Sequence, residues 1–346
     1  MAILGARRID GLRRGIAVAA LLALPTTVAA QTAGPSRRGP FPARDEFLLA
    51  QPLLTLPAAA PDPLAKGQFE VRLDGDWGSD FGIEGSVGGR NADLRFLVDG
   101  EHRSGALTVR RGMGGGLTLG MRAPVLWRGA GILDGVIDAW HGALGLPDGG
   151  RSLFPDDQLR VEARDARRQA VRWGGGQGTG LGNVELEAHQ VLTGLEDAKG
   201  WRTALIARLS APTATGPFAG AGTAGGLQLV VARPLGSRTD VYLGLGTTVA
   251  SRRQPFGVQY RRTRPQGFVA LEGRLTRGWS VIVQLDVAAR LVTNIDSYPG
   301  SVGYLRVGSK FGLRRGWRLE GGITEGVRSL VAATDFGVVA AIARTF

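Results

Sequence analysis

Trp279-Ser-Val-Ile-Val-Gln-Leu-Asp-Val-Ala-Ala-Arg-Leu291 carries the clearest architectural signal in this chain of 346 residues. Trp279, Val281, Val283, Leu285, Val287 and Leu291 occupy alternate positions, with Gln284, Asp286 and Arg290 between them. Successive side chains of a strand point to opposite faces, so this run has one apolar face and one polar face. It is also about ten residues long, which is what a tilted strand needs to cross hydrocarbon. Strands of soluble sandwiches alternate too, but they are usually nearer five or six residues and turn their apolar face to a dry core. An apolar face of this length backed by charges describes a barrel that is apolar outside and polar within.

The same period recurs along the chain. Phe69, Val71, Leu73 and Trp77 alternate with Glu70, Arg72, Asp74 and Asp76. Val241, Leu243, Leu245 and Val249 alternate with Asp240, Tyr242, Gly244, Gly246 and Thr248, and Leu305, Val307, Phe311 and Leu313 with Arg306, Gly308, Lys310 and Gly312. Strands are predicted at 67–77, 93–111, 117–127, 182–192, 201–210, 226–232, 239–249, 267–276, 279–290, 302–313, 317–324 and 335–346. The fold class expected is all-β: an antiparallel transmembrane β-barrel of about 12 strands, with a short helix in a long loop. Short connections alternate with long ones, as in bacterial barrels. The segment 158–173 reads as a hairpin with short, charged arms; if it crossed, the count would be fourteen. Trp77 and Trp127 are expected to close strands, and Trp201, Trp279 and Trp317 to open them, as aromatic girdles at two interfaces. The inward positions offer Arg72, Asp74, Arg122, Glu185, Glu187, His189, Asp286, Arg306 and Lys310 as lumen-lining candidates.

Ahead of the barrel, two other segments are distinct. Arg7, Arg8, Arg13 and Arg14 precede an apolar run from Ile16 to Leu24 and the small residues Val28-Ala29-Ala30. That is an export signal, expected to be cleaved after Ala30, and its apolar run is too short to span a bilayer. Residues 31–66 contain Pro35, Pro40, Pro42, Pro52, Pro57, Pro61 and Pro63 and can form neither a central strand nor a long helix. They read either as a periplasmic tether or as a plug threading Phe47, Leu48, Leu49, Leu53 and Leu54 into the lumen. Residues 67–346 form the barrel.

With no cysteine in the chain, disulfides, thiol catalysis and cysteine–zinc sites are excluded. The formal charge of +12 comes almost wholly from arginine, since Lys66, Lys199 and Lys310 are the only lysines. An exported basic chain points away from nucleic acid and towards lipid phosphates, so outer-membrane lipid and lipopolysaccharide are the expected partners. Arg252, Arg253, Arg261, Arg262 and Arg264, in the loop from Ser251 to Gln266, are candidate lipopolysaccharide ligands. The alternative is a basic loop that only solubilises.

Ile132 to Leu144 is predicted as a helix, with Leu133, Val136, Ile137, Trp140 and Leu144 on one side. Asp134, Asp138 and His141 gather on the other, where a carboxylate beside an imidazole suits a general base or a hard metal site. The simpler reading is a solvated polar face opposite an apolar one. His102, His141 and His189 are the only histidines, and none has catalytic spacing. Gly-rich runs at 112–116 and 174–180 lack the Lys-Ser/Thr of a phosphate loop. No catalytic, cofactor-binding or metal residue is therefore assigned, no cofactor is expected, and enzymatic activity is not expected.

Several motifs resemble an outer-membrane family known only as a domain of unknown function, DUF3187. They are Gly39-Pro-Phe-Pro-Ala-Arg-Asp-Glu-Phe-Leu-Leu49, Phe96-Leu-Val-Asp-Gly-Glu101, Ile132-Leu-Asp-Gly-Val-Ile-Asp-Ala-Trp-His141 with Gly145-Leu-Pro-Asp-Gly-Gly-Arg151, and Gly180-Leu-Gly-Asn-Val-Glu-Leu186. The last is similar to an element of barrels that import aromatic or long-chain hydrophobic compounds, although Asn183 stands where Asp is more usual. The chain's end, Phe336 to Phe346, is similar to the signal by which outer-membrane barrels engage the barrel-assembly machinery through a C-terminal Phe; Arg344 departs from it. The resemblance implies a barrel in the outer membrane and supplies no site residues. Three functions remain open: a narrow channel for small hydrophobic compounds, a lipid-modifying enzyme using His141 with Asp138, or a structural or surface-binding barrel without transport.

Overall fold

The computed structural model describes residues 38–86, 93–145, 150–192, 200–252, 254–328 and 332–346. The expected signal segment and its cleavage site lie outside these residues, as does Arg253. The strands are β1 (Phe69–Ser86), β2 (Asp93–Gly114), β3 (Leu117–Gly129), β4 (Arg160–Ala163), β5 (Gly178–Leu181), β6 (Glu185–Val191) and β7 (Arg202–Ser210). After them come β8 (Ala224–Pro234), β9 (Thr239–Ala250), β10 (Thr263–Arg274), β11 (Trp279–Ala289), β12 (Ser301–Gly312), β13 (Trp317–Arg328) and β14 (Phe336–Thr345). One helix of 11 residues, α1 (Asp134–Leu144), lies between β3 and β4.

Twelve of these strands close a ring of antiparallel pairs. It runs β1-β2-β3-β6 and onward in sequence order to β14, which pairs with β1 from Glu70↔Thr345 to Ser79↔Phe336. β4 and β5 stand outside the ring. β4 extends the far end of β2 (Phe96↔Ala163 to Asp99↔Arg160), and β5 the far end of β3 (Val125↔Leu181 to Arg128↔Gly178). Four residues rise about 13 Å, far short of the hydrocarbon thickness, so the hairpin at 158–173 adds no crossing strands.

The two ends of the ring differ. Short turns join β2–β3, β8–β9, β10–β11 and β12–β13; the first passes through Gly114, Gly115 and Gly116, all with φ between +60° and +89°, a backbone that other residues rarely adopt. At the opposite end lie long connections: 211–223, 290–300 and the described parts of 130–184 and 251–262.

Alternation sorts the wall as the sequence predicts. Leu243, Leu245, Val283 and Leu285 are exposed on the outside, while Tyr242, Ile282 and Gln284 are fully buried inside. At the short-turn end Trp279 stacks on Phe311 and Arg344 lies 5.3 Å from the Trp317 ring and 4.3 Å from Phe346. Those two rings give the Arg344 charge a place at a membrane edge. Towards the other end Arg103 is held between Trp77 (4.6 Å) and Trp127 (4.3 Å). Trp127 lies near the end of β3, but Trp77 does not close β1, which continues to Ser86 along β2 beyond the girdle.

Candidate functional site

The barrel interior is occupied by the chain itself. Residues 38–66 form no regular element; they start at the short-turn end, climb through the ring, turn at Phe47–Gln51 and descend again to β1. Pro40, Pro42, Pro52, Pro57, Pro61 and Pro63 remove backbone donors that the interior would otherwise have to satisfy. Many of the remaining N–H groups donate to wall side chains. Arg38 and Gly39 donate to Glu272 (3.0 Å each), Phe41 to Gln284 (2.8 Å), Leu48 to Asp80 (2.9 Å), Leu56 to Gln266 and Leu64 to Thr118 (3.0 Å each). Conversely, Lys310 Nζ donates to the carbonyls of Pro40 (2.6 Å) and Arg38 (3.2 Å), and His189 Nε2 to that of Pro61 (3.1 Å).

Glycines on the inner face make room for this segment. A Cβ on Gly226 would come within 2.8 Å of Leu56. On Gly246 and Gly308 it would first meet the neighbouring strand, the Leu227 carbonyl at 2.4 Å and the Gly321 carbonyl at 2.2 Å, and then Leu56 and Phe41 of the inner segment.

All nine lumen-lining candidates lie on the inner face, engaged in ion pairs or hydrogen bonds with the wall or the inner segment. Arg72 pairs with Glu320 (2.8 Å) and Asp74 (3.3 Å); Arg122 with Asp74 (3.5 Å) and Glu185 (3.9 Å); Glu187 with Arg208 (2.8 Å) and Arg110 (3.2 Å). Arg306 pairs with Asp286 and donates to the Arg44 carbonyl at 2.7 Å, and Lys310 reaches Glu320 at 3.3 Å. The inner segment adds its own charges: Arg44 pairs with Glu185 (2.5 Å), Asp45 with Arg264 (2.6 Å) and Asp62 with Arg202. Cavities among these groups hold only about 20–30 Å³ each, room for about one water.

Part of the interior is apolar. On β7 to β10, Ala204, Ile206, Val230, Ala232, Tyr242, Phe268 and Ala270 form an apolar wall, against which Ala58, Ala59 and Ala60 of the inner segment pack. Arg202, Asp240, Gln266 and Glu272 of the same strands are buried around it, so the interior is ionic with one apolar patch on β7 to β10. The patch is an exception to the polar lumen that the alternation predicts.

At the long-loop end the apex of the segment is capped. Phe47, Leu48 and Leu49 pack with Phe96, Val98, Val258, Tyr260, Leu291, Ile295 and Tyr298. Burial pushes the phenols of Tyr260 and Tyr298 above their ordinary value, so both stay neutral within the cap. Arg128, fully buried, ties the cap together: it donates to the carbonyls of Leu48 (3.3 Å), Gly176 (2.8 Å) and Pro217 (2.5 Å), with the rings of Trp173 and Phe218 at 4.5 and 4.6 Å.

The loop candidates separate. Arg252, Arg261 and Arg262 are exposed around an open basin of about 670 Å³ also lined by Gln259 and Thr293. Arg264 does not join them: as the second residue of β10 it alternates inward, is buried and pairs with Asp45. Helix α1 also turns differently from its expected amphipathic face. Leu133, Asp134, Ile137 and His141 are buried, while Val136 (55 % exposed) and Asp138 point away. The helix sits over a polar rim, so the face it buries is mixed. Glu101 on β2 accepts from the Ile132 N–H at 2.5 Å and from that of Leu133, while Asp134 pairs with Arg151. Among the described residues His141 has no hydrogen-bond partner, so the His141–Asp138 pair is not formed.

Sequence reasoning missed His102, whose ring nitrogens lie 2.7 Å from Asp76 and 2.9 Å from Asp80, and Glu272, Glu101 and Arg128. Period two could have placed Glu272 inward, beside the Asp240 of β9 that it faces; nothing local marks the others.

Among known proteins, the family described as "Protein of unknown function (DUF3187)" matches residues 17–346. No curated protein matches significantly. The outer membrane channel COG4313 from Pseudomonas putida F1 superposes with a TM-score of 0.57 at 13 % identity, covering 84 % of this chain and 100 % of that one. The NanC porin (0.44, 8 % identity, 80 % and 98 %) and the P. putida toluene transporter TodX (0.42, 12 %, 81 % and 90 %) are more distant. At 13 % identity the likeness to the first shows a shared outer-membrane barrel fold.

Proposed function

The chain belongs to the DUF3187 family, and from that premise we propose that it is an outer-membrane channel for small hydrophobic molecules, shut at rest by its own N-terminal segment. One observation carries the reading. Between the paired side chains of the wall, the lumen holds a separable stretch of chain, residues 38–66, part of which lies on the apolar patch of β7 to β10. Displacing Ala58–Ala60 would uncover an apolar strip bordered by charged groups, a path on which an apolar solute is favoured and a hydrated ion is held by fixed charges. The P. putida F1 protein that shares the fold is an outer membrane channel, which agrees with this reading.

Planar-bilayer conductance and uptake of a hydrophobic solute into proteoliposomes test it. The full chain is expected to conduct rarely, and a variant lacking residues 38–63 to conduct continuously, both keeping the heat-modifiable gel mobility of a folded barrel. A folded deletion variant that passes nothing would mean a structural barrel. The enzyme alternative loses its catalytic pair with His141 and Asp138 apart.

The long-loop end is the cell surface in this reading, and Arg252, Arg261 and Arg262 would meet lipopolysaccharide phosphates there. Each exposed pair is worth only about 0–1 kcal/mol, so the cluster acts as a group. Replacing all three by Gln should lower co-purified lipopolysaccharide and leave assembly unchanged. Phe346, 59 % exposed at the other end, is free to engage assembly machinery.

A further inference from the structure

We propose that His141, Glu325 and Asp335 bind a divalent transition-metal ion of the zinc or manganese class, which pins α1 to the rim of the barrel. Their ligand atoms, one from each residue, lie within 4.8 Å of one another. They come from three separate places: His141 from α1, Glu325 from the far end of β13, and Asp335 from just before β14. The β13–β14 pairing sets Glu325 opposite Phe336 and so beside Asp335.

An unsatisfied imidazole points to a ligand here. His141 is 6 % exposed, yet among the described residues neither ring nitrogen has a hydrogen-bond partner. Buried polar groups in folded proteins are almost always satisfied, so such a ring calls for a further partner such as an ion. Among the described residues no cation pairs with the Glu325 carboxylate. Asp335 is prepared on its outer side: Arg151 holds its Oδ2 at 2.8 Å while also gripping Asp134, and the Asp335 N–H donates to the Ser79 carbonyl at 2.9 Å. Support of a ligating carboxylate by such a partner is the usual arrangement around a metal.

The donor set selects the metal. One imidazole and two carboxylates suit zinc or manganese, whereas magnesium and calcium prefer oxygen alone. Three protein ligands leave a position for water. Without the ion, α1 is seated by Leu133 and Ile137 against Phe336 and Trp77. With it, the helix of the longest loop is coupled directly to β13 and β14.

The test uses the full chain in detergent, with a histidine-free tag, stripped by chelator and then dialysed against zinc. One zinc per chain is expected by elemental analysis, with magnesium unable to displace it. His141→Ala and Glu325→Gln should each weaken zinc binding about tenfold or more in competition with a chromogenic chelator, while Asp138→Asn should not. Zinc should also slow tryptic cleavage between 150 and 177 in the unaltered chain and not in Glu325→Gln. Gel mobility reports whether each variant is folded; should His141→Ala fail to fold, Glu325→Gln carries the test. Substoichiometric zinc, displacement by magnesium, or undiminished zinc binding in folded Glu325→Gln overturns the proposal.

Discussion

Glu272→Ala is expected to release the inner segment at the short-turn end and raise bilayer conductance, with a loss of barrel stability of about 3–5 kcal/mol. Glu272 is fully buried and accepts from the Arg38 and Gly39 N–H groups, from Tyr242 Oη at 2.8 Å and from Ser280 Oγ at 2.7 Å. Ser280 in turn accepts from Arg38 Nη1 at 2.9 Å, so the carboxylate organises the first turn of the segment through a relay. Alanine leaves two backbone donors and two hydroxyls without an acceptor, each costing about 1–3 kcal/mol if it stays dry. The structure escapes most easily by letting the segment move and water enter. Glu272→Gln keeps one acceptor oxygen and should give a smaller effect in the same direction. Urea unfolding in detergent measures the stability, and single-channel recording the opening. Closed recordings from a folded, destabilised Glu272→Ala would show that the segment does not control the path.

Arg128→Ala should have a comparable cost, about 3–5 kcal/mol from unpaired carbonyls and the cavity left behind, felt at the opposite end. The guanidinium bonds three carbonyls on three different pieces of chain: Leu48 at the apex of the segment, Gly176 before β5, and Pro217 between β7 and β8. Its aromatic neighbours Trp173 and Phe218 belong to two of the same loops. Removing the side chain breaks the ties and opens a cavity between the rings, so the long loops should become protease-sensitive while the transmembrane ring persists. Limited proteolysis followed by gel mobility separates the outcomes. Arg128→Lys should rescue little, because one ammonium cannot span three carbonyls and stack on two rings. Loops as resistant in Arg128→Ala as in the parent would rule out the cap as described.

The ring of strands was legible in the amino-acid order because alternation is a local property. Each outward position must satisfy lipid and each inward position must not, so period two in Trp279–Leu291 or Val241–Val249 reports both strand and face without reference to anything distant. The count of twelve follows likewise from run length, since the arms at 158–173 are too short to cross. What fills the ring had no such marker. Glu272 holds Arg38 across 234 positions of chain, and Tyr304 donates to Asp45 across 259. Composition shows only that such charges exist, and the same Pro-rich segment could have hung free below the barrel. Arg264 looked like one of five loop arginines until the register of β10 turned it inward to Asp45. The face of α1 was misread for a related reason: hydrophobic periodicity assumes an apolar surface beneath the helix, and this one lies on a polar rim that buries Asp134 and His141 and leaves Val136 outside. Strand identity comes from neighbours two residues apart, whereas the contents of the lumen and the surroundings of His141 come from partners that meet only when the barrel closes.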